Sequence, residues 1–351
     1  DKVTNVWNQE WWDKTEQWSW EYNRNFKGLE YGKSREAILT SPHNTGFLSN
    51  EMNLSKEKRK LERFLYLNEK SSPALWDDAL MERMRQELDD FKPLVLEANP
   101  SYLAVLSDYL ARSGKQVFQP QIIVFSFENY SLLSKKIIQS AFTSPVASSF
   151  GSTEAGCVLM ECEEGRYHQN TASCRIDFQP FHPDFGPEDI GRIFVTTFDN
   201  PWRVMIRFDI GDLVRLNKKQ QCGCGKRHGF IFDQIEGRVS NLTFNTLGKC
   251  VTPRELDNQI SLFEGILNYQ LIQKSVSDYH LLLVSRPSVS NPKNFKGLIE
   301  KLKLLYGERS NITLEKVSQI QAESSGKYRH SKCDVPFDAN HFFLSGDEAW
   351  R

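Results

Sequence analysis

Helix-like and strand-like segments alternate through residues 77–150, and this alternation limits the folds open to the chain more than any other feature. Asn99-Pro100 starts one of the helices, because Asn caps a helix and Pro suits its first position, and Gly114 ends it. In order, the predicted segments are a helix over 77–90, a helix over 99–114, a strand over 121–125, a helix over 131–142 and a strand over 146–150. This order predicts an α/β domain with a mainly parallel sheet.

A further helix is predicted over residues 54–70, which are rich in Lys, Glu and Leu. From residue 191 the pattern changes, and residues 255–351 form a different unit that ends in a charged tail. The segments predicted there are strands over 193–197, 204–208 and 279–285 and an amphipathic helix over 295–305. We therefore predict a large domain, residues 1–238, with a mainly parallel sheet plus a β-rich part, and a small α+β domain, residues 239–351.

Length and charge exclude several classes of protein. The 351 residues exceed what one compact core usually holds, which agrees with two domains. A formal net charge of -1 gives no sign of the basic face of a nucleic-acid binder. No apolar run approaches the roughly 18 residues that cross a bilayer, and the first residues do not resemble a signal peptide. We expect a cytoplasmic protein without nucleic-acid or membrane partners, and leave open whether it forms a homodimer.

The first segment with chemical potential is FGSTEAG, Phe150–Gly156, directly after a predicted strand. Ligands of α/β sheets bind at the carboxyl ends of strands. Glycines let the backbone approach a phosphate, hydroxyls donate to its oxygens, and a carboxylate can hold Mg²⁺. The alternative is a plain turn built from small residues, and the segment alone does not decide between the two.

Three further segments are individually weak. Arg207–Leu213, RFDIGDL, contains a Gly-Asp pair between apolar runs, which is typical of a hairpin turn; alternatively, Asp212 accepts hydrogen bonds from ribose hydroxyls. Glu236-Gly237-Arg238 alone means little, since an Arg after Gly is usually just a surface residue. Ser324–Arg329, SSGKYR, carries Lys327 on a glycine-containing loop, where a lysine is either solvated or neutralises charge on a phosphoryl oxygen.

The order of these four segments resembles the motif series of adenylate-forming enzymes, which comprise acyl- and aryl-CoA synthetases, nonribosomal adenylation domains and luciferases. Other features are similar to the phenylacetate–CoA ligase and coenzyme F390 synthetase branch. They are Phe91-Lys92-Pro93 followed by Asn99–Leu103, the CGCGK run Cys222–Lys226 shortly before Glu236, and the direct run from Arg207 into Asp212. The resemblance covers roughly residues 1–335.

The resemblance implies a role for each matching residue. Phe150 would lie against the adenine, with Gly151 and Ser152 beside the nucleotide, and Thr153 would contact the α-phosphate. Further roles are Glu154 for Mg²⁺, Asp212 for the ribose hydroxyls with Arg238 beside it, Glu128 for the segment at the adenine, and Lys327 as the mobile lysine that assists adenylation. Glu128 is the one residue that Phe127-Glu128-Asn129 shares with the family's Gly-Glu-Pro segment.

The sequence departs from the family pattern at two further places. The Gly/Ser/Thr-rich phosphate loop has only a poor match, Ser41–Gly46, which comes too late in the chain. In the family this loop precedes a stretch that resembles Val3–Trp7, so the resemblance places it upstream of residue 1. The hinge acid expected two residues after Arg238 is Ser240, and a changed hinge would alter the domain rotation that catalysis needs.

Two Cys/His pairs suggest a structural zinc site. Cys162 and His168 flank a predicted hairpin, and Cys222 and Cys224 lie on a glycine-rich turn. Four such ligands are the composition of a closed tetrahedral zinc site, and members of the coenzyme F390 synthetase branch share the arrangement. Free thiols with a surface histidine are the alternative. The remaining candidates for a ligand are Cys157 and His228.

The sequence therefore predicts an acid–thiol ligase that forms AMP. ATP and Mg²⁺ would activate a small carboxylic acid as an acyl-adenylate, and CoA or a carrier protein would take the acyl group. Two alternatives stay open: transfer to an amine, and a non-catalytic relative that keeps the fold as a binding or scaffold protein. The missing loop and Ser240 favour the scaffold, whereas Thr153, Glu154, Asp212, Arg238 and Lys327 together oppose it.

Overall fold

The computed structural model describes residues 8–40, 54–68, 73–287, 292–323 and 325–345. Ser41–Gly46 and Val3–Trp7 lie outside these residues. The chain forms two compact units. The parallel-sheet unit consists of Asn25–Ser148 and Ser318–Arg329, and the antiparallel-sheet unit consists of Asp1–Arg24, Ser149–Val317 and His330–Arg351.

The parallel-sheet unit contains a six-stranded sheet in the order β2-β3-β1-β4-β5-β6. The strands are β1 Glu36–Leu39, β2 Lys60–Leu61, β3 Phe64–Tyr66, β4 Val95–Ala98, β5 Ile122–Phe125 and the first residues of β6 Val146–Ser152. Neighbouring strands run parallel except β2 and β3, and the central strands β1 and β5 are buried throughout. The predicted parallel sheet is confirmed.

Local capping sets the helices of this unit. Helix α3, Asp78–Phe91, begins where the Asp77 side chain accepts a hydrogen bond from the Leu80 amide. Helix α4, Pro100–Ser113, begins where Asn99 accepts from two amides and ends at Gly114, which has a left-handed backbone. Helix α5 is Leu132–Gln139. These predicted helices are confirmed. Each segment contains both a capping residue and an apolar face, which together favour a helix.

The helix predicted over 54–70 is wrong. Within the described residues 54–68 only Lys56–Arg59, α2, is helical, and β2 and β3 follow it. Leu65 is fully buried in β3, and Glu62, with a φ of +50°, makes the turn between the two strands. Aromatic side chains at Phe64 and Tyr66 favour a strand, and pairing with β1 outweighs the helical propensity of the Lys and Glu residues.

The antiparallel-sheet unit contains a sheet in the order β6-β7-β8-β12-β11-β10-β9, in which every neighbouring pair is antiparallel. Its strands are the last residues of β6, then β7 Gly156–Glu161, β8 Tyr167–Gln169, β9 Cys174–Pro180, β10 Ile190–Thr197, β11 Phe208–Leu216 and β12 Ile231–Arg238. Helix α1, Gln9–Trp20, packs on β7. A strand predicted over 204–208 is wrong except for Phe208, because residues 204–207 form no ladder and expose Val204 and Ile206.

The same unit contains a four-stranded sheet in the order β17-β16-β15-β18. Its strands are β15 Ile266–Gln273, β16 Asp278–Ser285, β17 Asn311–Lys316 and β18 Ser331–Cys333. A short ladder of β13 Thr243–Phe244 and β14 Cys250–Val251 and the helices α6 Pro253–Ile260 and α7 Pro292–Tyr306 accompany it. The predicted strand and helix in this part are confirmed, and so is the mixed α/β fold class. No helix within the described ranges combines the length and the apolar character that a bilayer crossing requires.

Candidate functional site

The FGSTEAG segment forms a tight hairpin. Strand β6 ends at Ser152, β7 begins at Gly156, and the Ala155 amide donates to both the carbonyl and the hydroxyl oxygen of Ser152, each at 3.2 Å. Thr153 is exposed and Glu154 is half-buried at the tip. The hairpin therefore presents a hydroxyl and a carboxylate at the end of a strand, as the sequence predicts for a phosphate and metal site.

Both glycines of this segment have packing reasons to be glycine. A Cβ at Gly151 would lie 2.1 Å from the carbonyl oxygen of Gly156. Gly156 has a φ of +68°, and a Cβ there would lie 2.7 Å from Oγ1 of Thr15 on α1. The Cys157 amide donates to the same Thr15 oxygen at 3.3 Å. Strand pairing and the approach of α1 thus account for the glycines without a ligand.

RFDIGDL is a bulged strand and not a hairpin turn. Phe194 pairs with Asp209 and Arg192 with Leu213, so that residues 210–212 of β11 bulge away from β10. Gly211 takes a φ of +75° there, which glycine adopts at little cost. The hairpin alternative is therefore wrong. Bulges often adjust the direction of a functional side chain, and the residue that follows this glycine is Asp212.

Asp212 and Arg238 are brought together by this bulge. The two residues are partners in the ladder of β11 and β12. Nη2 of Arg238 donates to the carbonyl oxygen of Ile210 at 3.0 Å, and the rest of the exposed guanidinium retains further donors. A carboxylate and a guanidinium from two motifs therefore lie side by side in the antiparallel-sheet unit.

A cavity of about 510 Å³ is lined by Arg238 of this pair and by Gly211, the residue before Asp212. Arg192 and Asp209 line it and form an ion pair with an N–O distance of 3.0 Å. The lining residues are Arg192, Asp209, Ile210, Gly211, Arg238, Val239, Ser240, Phe337 and Ala339. Charged groups at its rim suit a polar ligand.

Glu236 of the EGR segment is fully buried and not a surface residue. Its carboxylate accepts hydrogen bonds from Nε of Arg215 at 2.7 Å, Nε2 of Gln234 at 2.7 Å and Oγ1 of Thr252 at 2.6 Å. Thr252 also caps α6, where it forms a capping box with Glu255. Glu236 thus connects β12 and β11 to the first helix after the predicted domain boundary, a role that the sequence did not indicate.

Glu128 and the Lys327 loop meet within the parallel-sheet unit. Oε2 of Glu128 accepts a hydrogen bond from the Tyr328 amide at 3.1 Å. Oε1 accepts from the Ser101 amide at 3.2 Å and from the Ser101 hydroxyl, at the first turn of α4. Burial, followed by the charge of Glu128, raises the pKa of the Tyr328 hydroxyl to about 12.

The backbone before Glu128 is strained. Phe127 has a φ of +74°, and the Glu128 amide donates to the Ser126 carbonyl at 2.9 Å, which closes a γ-turn. A residue with a side chain held in such a conformation costs about 1–3 kcal/mol and persists only where the surroundings impose it. The position at which the family has Gly thus carries Phe127 in a conformation that suits glycine.

Cys162, His168, Cys222 and Cys224 form one cluster in the antiparallel-sheet unit. One ligand atom from each residue lies within 4.8 Å of the others. Sγ of Cys162 is 3.6 Å from Sγ of Cys222, and Sγ of Cys224 is 3.3 Å from Nε2 of His168. The hairpin between β7 and β8 supplies the first pair of ligands, and the loop between β11 and β12 supplies the second.

The chemistry of the cluster suits a metal ion. Burial raises the pKa of the Cys162 and Cys224 thiols and lowers the pKa of His168, so without a cation the sulfurs stay protonated and the imidazole neutral. A bound cation reverses this preference for the thiols. Among the described residues, the cluster excludes Cys157, which lies 3.9 Å from the Ser149 hydroxyl, and also His228.

The remaining predicted residues are divided between the two units. Phe150, Gly151, Ser152, Thr153 and Glu154 are on β6 and its turn, and three strands separate β6 from β11 in the sheet order. Lys327 is exposed on a turn closed by hydrogen bonds between Glu323 and Lys327 and between Gly326 and Glu323. Neither the contact of Glu128 with Tyr328 nor the network around Glu236 has a local sequence signal, since the partners are distant in the chain.

Sequence comparison gives two matches. Residues 244–334 match the family described as the CapK C-terminal domain. The chain is 22% identical to Protein CapK of Staphylococcus aureus over 256 residues, which is 70% of this chain and 54% of that protein. The chain thus spans about half the length of the curated relative it matches.

Comparison with solved structures gives the fold. A 2-hydroxyisobutyryl-CoA ligase in the postadenylation state with 2-HIB-AMP is 16% identical, with a TM-score of 0.64 over 93% of this chain and 70% of that chain. The anthranilate CoA ligase AuaEII with anthranoyl-AMP is 12% identical, with a TM-score of 0.60 over 92% of this chain and 62% of that chain. The amide bond synthetase McbA from Marinactinospora thermotolerans is 11% identical, with a TM-score of 0.57 over 90% of this chain and 63% of that chain. The fold is that of the adenylate-forming enzymes.

Proposed function

We propose that the protein activates a small carboxylic acid with ATP and transfers the acyl group to a thiol, on CoA or a carrier protein. The fold is shared with ligases whose structures contain acyl-AMP. The observation that carries the proposal is the register pairing of Asp212 with Arg238, which lines a cavity of about 510 Å³. Both residues come from motifs that the sequence alone singles out.

The chemistry has two steps. In the first, a carboxylate oxygen attacks the α-phosphorus of ATP, the bond to the β-phosphate breaks, and pyrophosphate leaves from an acyl-adenylate. In the second, the thiol sulfur attacks the acyl carbonyl carbon, its proton passes to solvent, and AMP leaves. The protein contributes position and charge stabilisation in both steps.

The residues of the chain suit these tasks. Asp212 would accept hydrogen bonds from the ribose hydroxyls, and Arg238, anchored on the Ile210 carbonyl, would use its remaining donors beside it. Thr153 and Glu154 on the exposed hairpin tip would serve the α-phosphate and Mg²⁺. Lys327 would neutralise charge on the phosphoryl oxygens in the transition state. Phe150, Gly151 and Ser152 would form the side of the nucleotide site.

The branch of the superfamily, the domain boundary and the domain motion belong to the same proposal. We assign the chain to the phenylacetate–CoA ligase and coenzyme F390 synthetase branch, on the CGCGK run and the Cys/His cluster. We place the domain boundary at 238/239, after β12 and before the short turn Val239–Asn241, and propose that residues 239–351 rotate between the two steps. Since the reaction needs ATP and CoA, we place the protein in the cytoplasm.

Acid-dependent exchange of radioactive pyrophosphate into ATP tests the first step. The full-length protein is assayed with aryl, fatty and amino acids, and Asp212→Asn should lower the exchange by weakening nucleotide binding. Release of AMP with CoA, a carrier protein or an amine then identifies the acceptor. Full-length protein that binds neither ATP nor AMP and exchanges with no acid would show that the chain is a non-catalytic relative.

We further propose that the Cys/His cluster holds one structural Zn²⁺. Three thiolates and one imidazole form the closed four-ligand set that tetrahedral zinc prefers. Elemental analysis of protein purified without chelator should find about one zinc per chain. Cys222→Ser should lower this content and the melting temperature, whereas the matched variant Cys333→Ser, outside the cluster, should leave the zinc content unchanged. Metal-free wild type with an unchanged melting temperature would contradict the assignment.

A further inference from the structure

We propose that Glu128 positions the loop that carries Lys327, and thereby sets how well this lysine serves adenylation. The inference rests on the proposed function for the role of Lys327. The contacts of Glu128 do not depend on it. The carboxylate bridges two elements that are distant in sequence: the first turn of α4, through Ser101, and the loop, through the Tyr328 amide.

The Lys327 loop makes contacts within itself, and the His330 carbonyl just after it accepts from the Leu271 amide on β15 at 2.9 Å. The Glu323 amide donates to the Lys327 carbonyl at 2.9 Å, and the Gly326 amide donates to the Glu323 carbonyl at 2.8 Å. Nε of Arg329 lies 3.1 Å from a carboxylate oxygen of Glu323. These bonds shape the loop. The bond from Tyr328 to Glu128 joins residues 200 positions apart and ties the loop to the segment after β5.

Glu128 itself is held firmly. The Ser101 amide at the N-terminus of α4 donates to its carboxylate, and the positive end of the helix dipole favours a negative group there. On the other side, the γ-turn at Phe127 directs the chain out of β5 in a conformation that a residue with a side chain seldom adopts. A strained backbone at Phe127 and charged hydrogen bonds at the neighbouring Glu128 indicate a position that the fold specifies.

The consequence concerns rate more than binding. Lys327 is exposed, so the place of its ammonium group depends on the backbone beneath it. Glu128 acts on the backbone of the next residue, Tyr328, and not on the reacting atoms. A displacement of about 1 Å in a catalytic group costs up to about 100-fold in rate. Loss of Glu128 should therefore lower kcat for adenylation and have less effect on KM for ATP.

Hydrogen exchange tests the contact without reference to activity. In the full-length protein, Glu128→Ala should accelerate exchange of peptides that cover residues 318–330. Asp77→Ala is the matched control, since Asp77 is also a carboxylate that accepts an amide at a helix N-terminus of the same unit. It should leave that exchange unchanged. Equal exchange in wild type and Glu128→Ala would overturn the docking of the loop, whether or not the protein is an enzyme.

A double-mutant cycle tests the positioning. Glu128→Ala should lower kcat for acid-dependent pyrophosphate release by about 10- to 100-fold, with KM for ATP changed less. On a Lys327→Ala background the same substitution should cost less than about 2-fold, because Glu128 acts through that lysine. Glu128→Gln keeps at most one of the contacts with Ser101 and Tyr328, since the side-chain nitrogen of Gln cannot accept a hydrogen bond. Additive losses would show that Glu128 acts independently of Lys327. Absence of activity in wild type would instead refute the proposed function.

Discussion

Replacement of Glu236 tests whether the buried network joins β12 to α6. Its carboxylate is fully buried and accepts from three side chains, on β11, on β12 and at the N-cap of α6. Glu236→Ala removes all three hydrogen bonds and leaves the Arg215 guanidinium half-buried. The Thr252 hydroxyl loses its acceptor and keeps only its capping bond from the Glu255 amide.

The magnitude follows from what each variant leaves behind. Breaking a buried ion pair costs about 3–5 kcal/mol in the free energy of unfolding. Because Arg215 retains Asp189, with an N–O distance of 3.2 Å, we expect about 3 kcal/mol for Glu236→Ala. Glu236→Gln keeps the shape and one acceptor oxygen for Arg215. This variant exchanges charge-assisted hydrogen bonds for neutral ones, so we expect its free energy of unfolding to fall by about 1–2 kcal/mol.

Urea unfolding followed by far-UV circular dichroism measures both variants, provided that the slope with urea stays constant. Glu308→Ala, an exposed carboxylate of the same unit, is the control and should change the free energy of unfolding by no more than about 0.5 kcal/mol. A cost for Glu236→Ala equal to that of the control would refute the network. Equal costs for the Ala and Gln variants would show that shape and not charge matters.

Two more predictions concern the same region. Gly237→Ala should be strongly destabilising in thermal unfolding, because Gly237 has a φ of +115° and a Cβ there would lie 2.6 Å from Pro253. Gly248→Ala is the control: Gly248 has a φ of +77° and a Cβ there would have no atom within 4 Å, so this variant measures the cost of the backbone conformation alone and should be less destabilised. An equal loss of stability in Gly237→Ala and Gly248→Ala would contradict the predicted clash with Pro253. Burial raises the pKa of Glu255 above 4.5, so the stability that its protonated form contributes is present below that pH and is lost as the pH rises through the folded-state pKa. Glu255→Gln keeps the capping acceptor, so its free energy of unfolding should fall less than that of wild type between about pH 4.5 and 7, measured by urea unfolding. An equal fall in the two proteins would contradict the raised pKa of Glu255.

Local signals were sufficient where one segment carries its own evidence. The Asn99 cap and the Gly114 end define α4 within one stretch of chain, and both are found in the structure. The Cys/His cluster was predictable because each of its pairs lies on a short turn, although no local rule specified that the turns meet. Composition misled at 54–70, since tertiary pairing of Phe64–Tyr66 decides the structure there.

Non-local geometry could not be predicted in the same way. The bulge at Gly211 depends on the partner strands of β11, so a Gly-Asp pair looked like a turn. The glycine at 156 depends on the approach of Thr15, more than a hundred residues earlier in the chain. The bond between Glu128 and Tyr328 joins residues that only the fold brings together.

The most direct test of the central claim is the effect of Lys327→Ala on acid-dependent pyrophosphate release by the full-length protein. Lys327 would act on charge that develops in the transition state, so its loss should cut the rate by about 10²–10³-fold, by analogy with oxyanion donors. Melting temperature and ATP affinity should stay nearly unchanged. Lys332→Ala, a half-exposed lysine paired with Asp334, is the matched control and should retain the wild-type rate. A Lys327→Ala variant that releases pyrophosphate as fast as wild type would contradict the account.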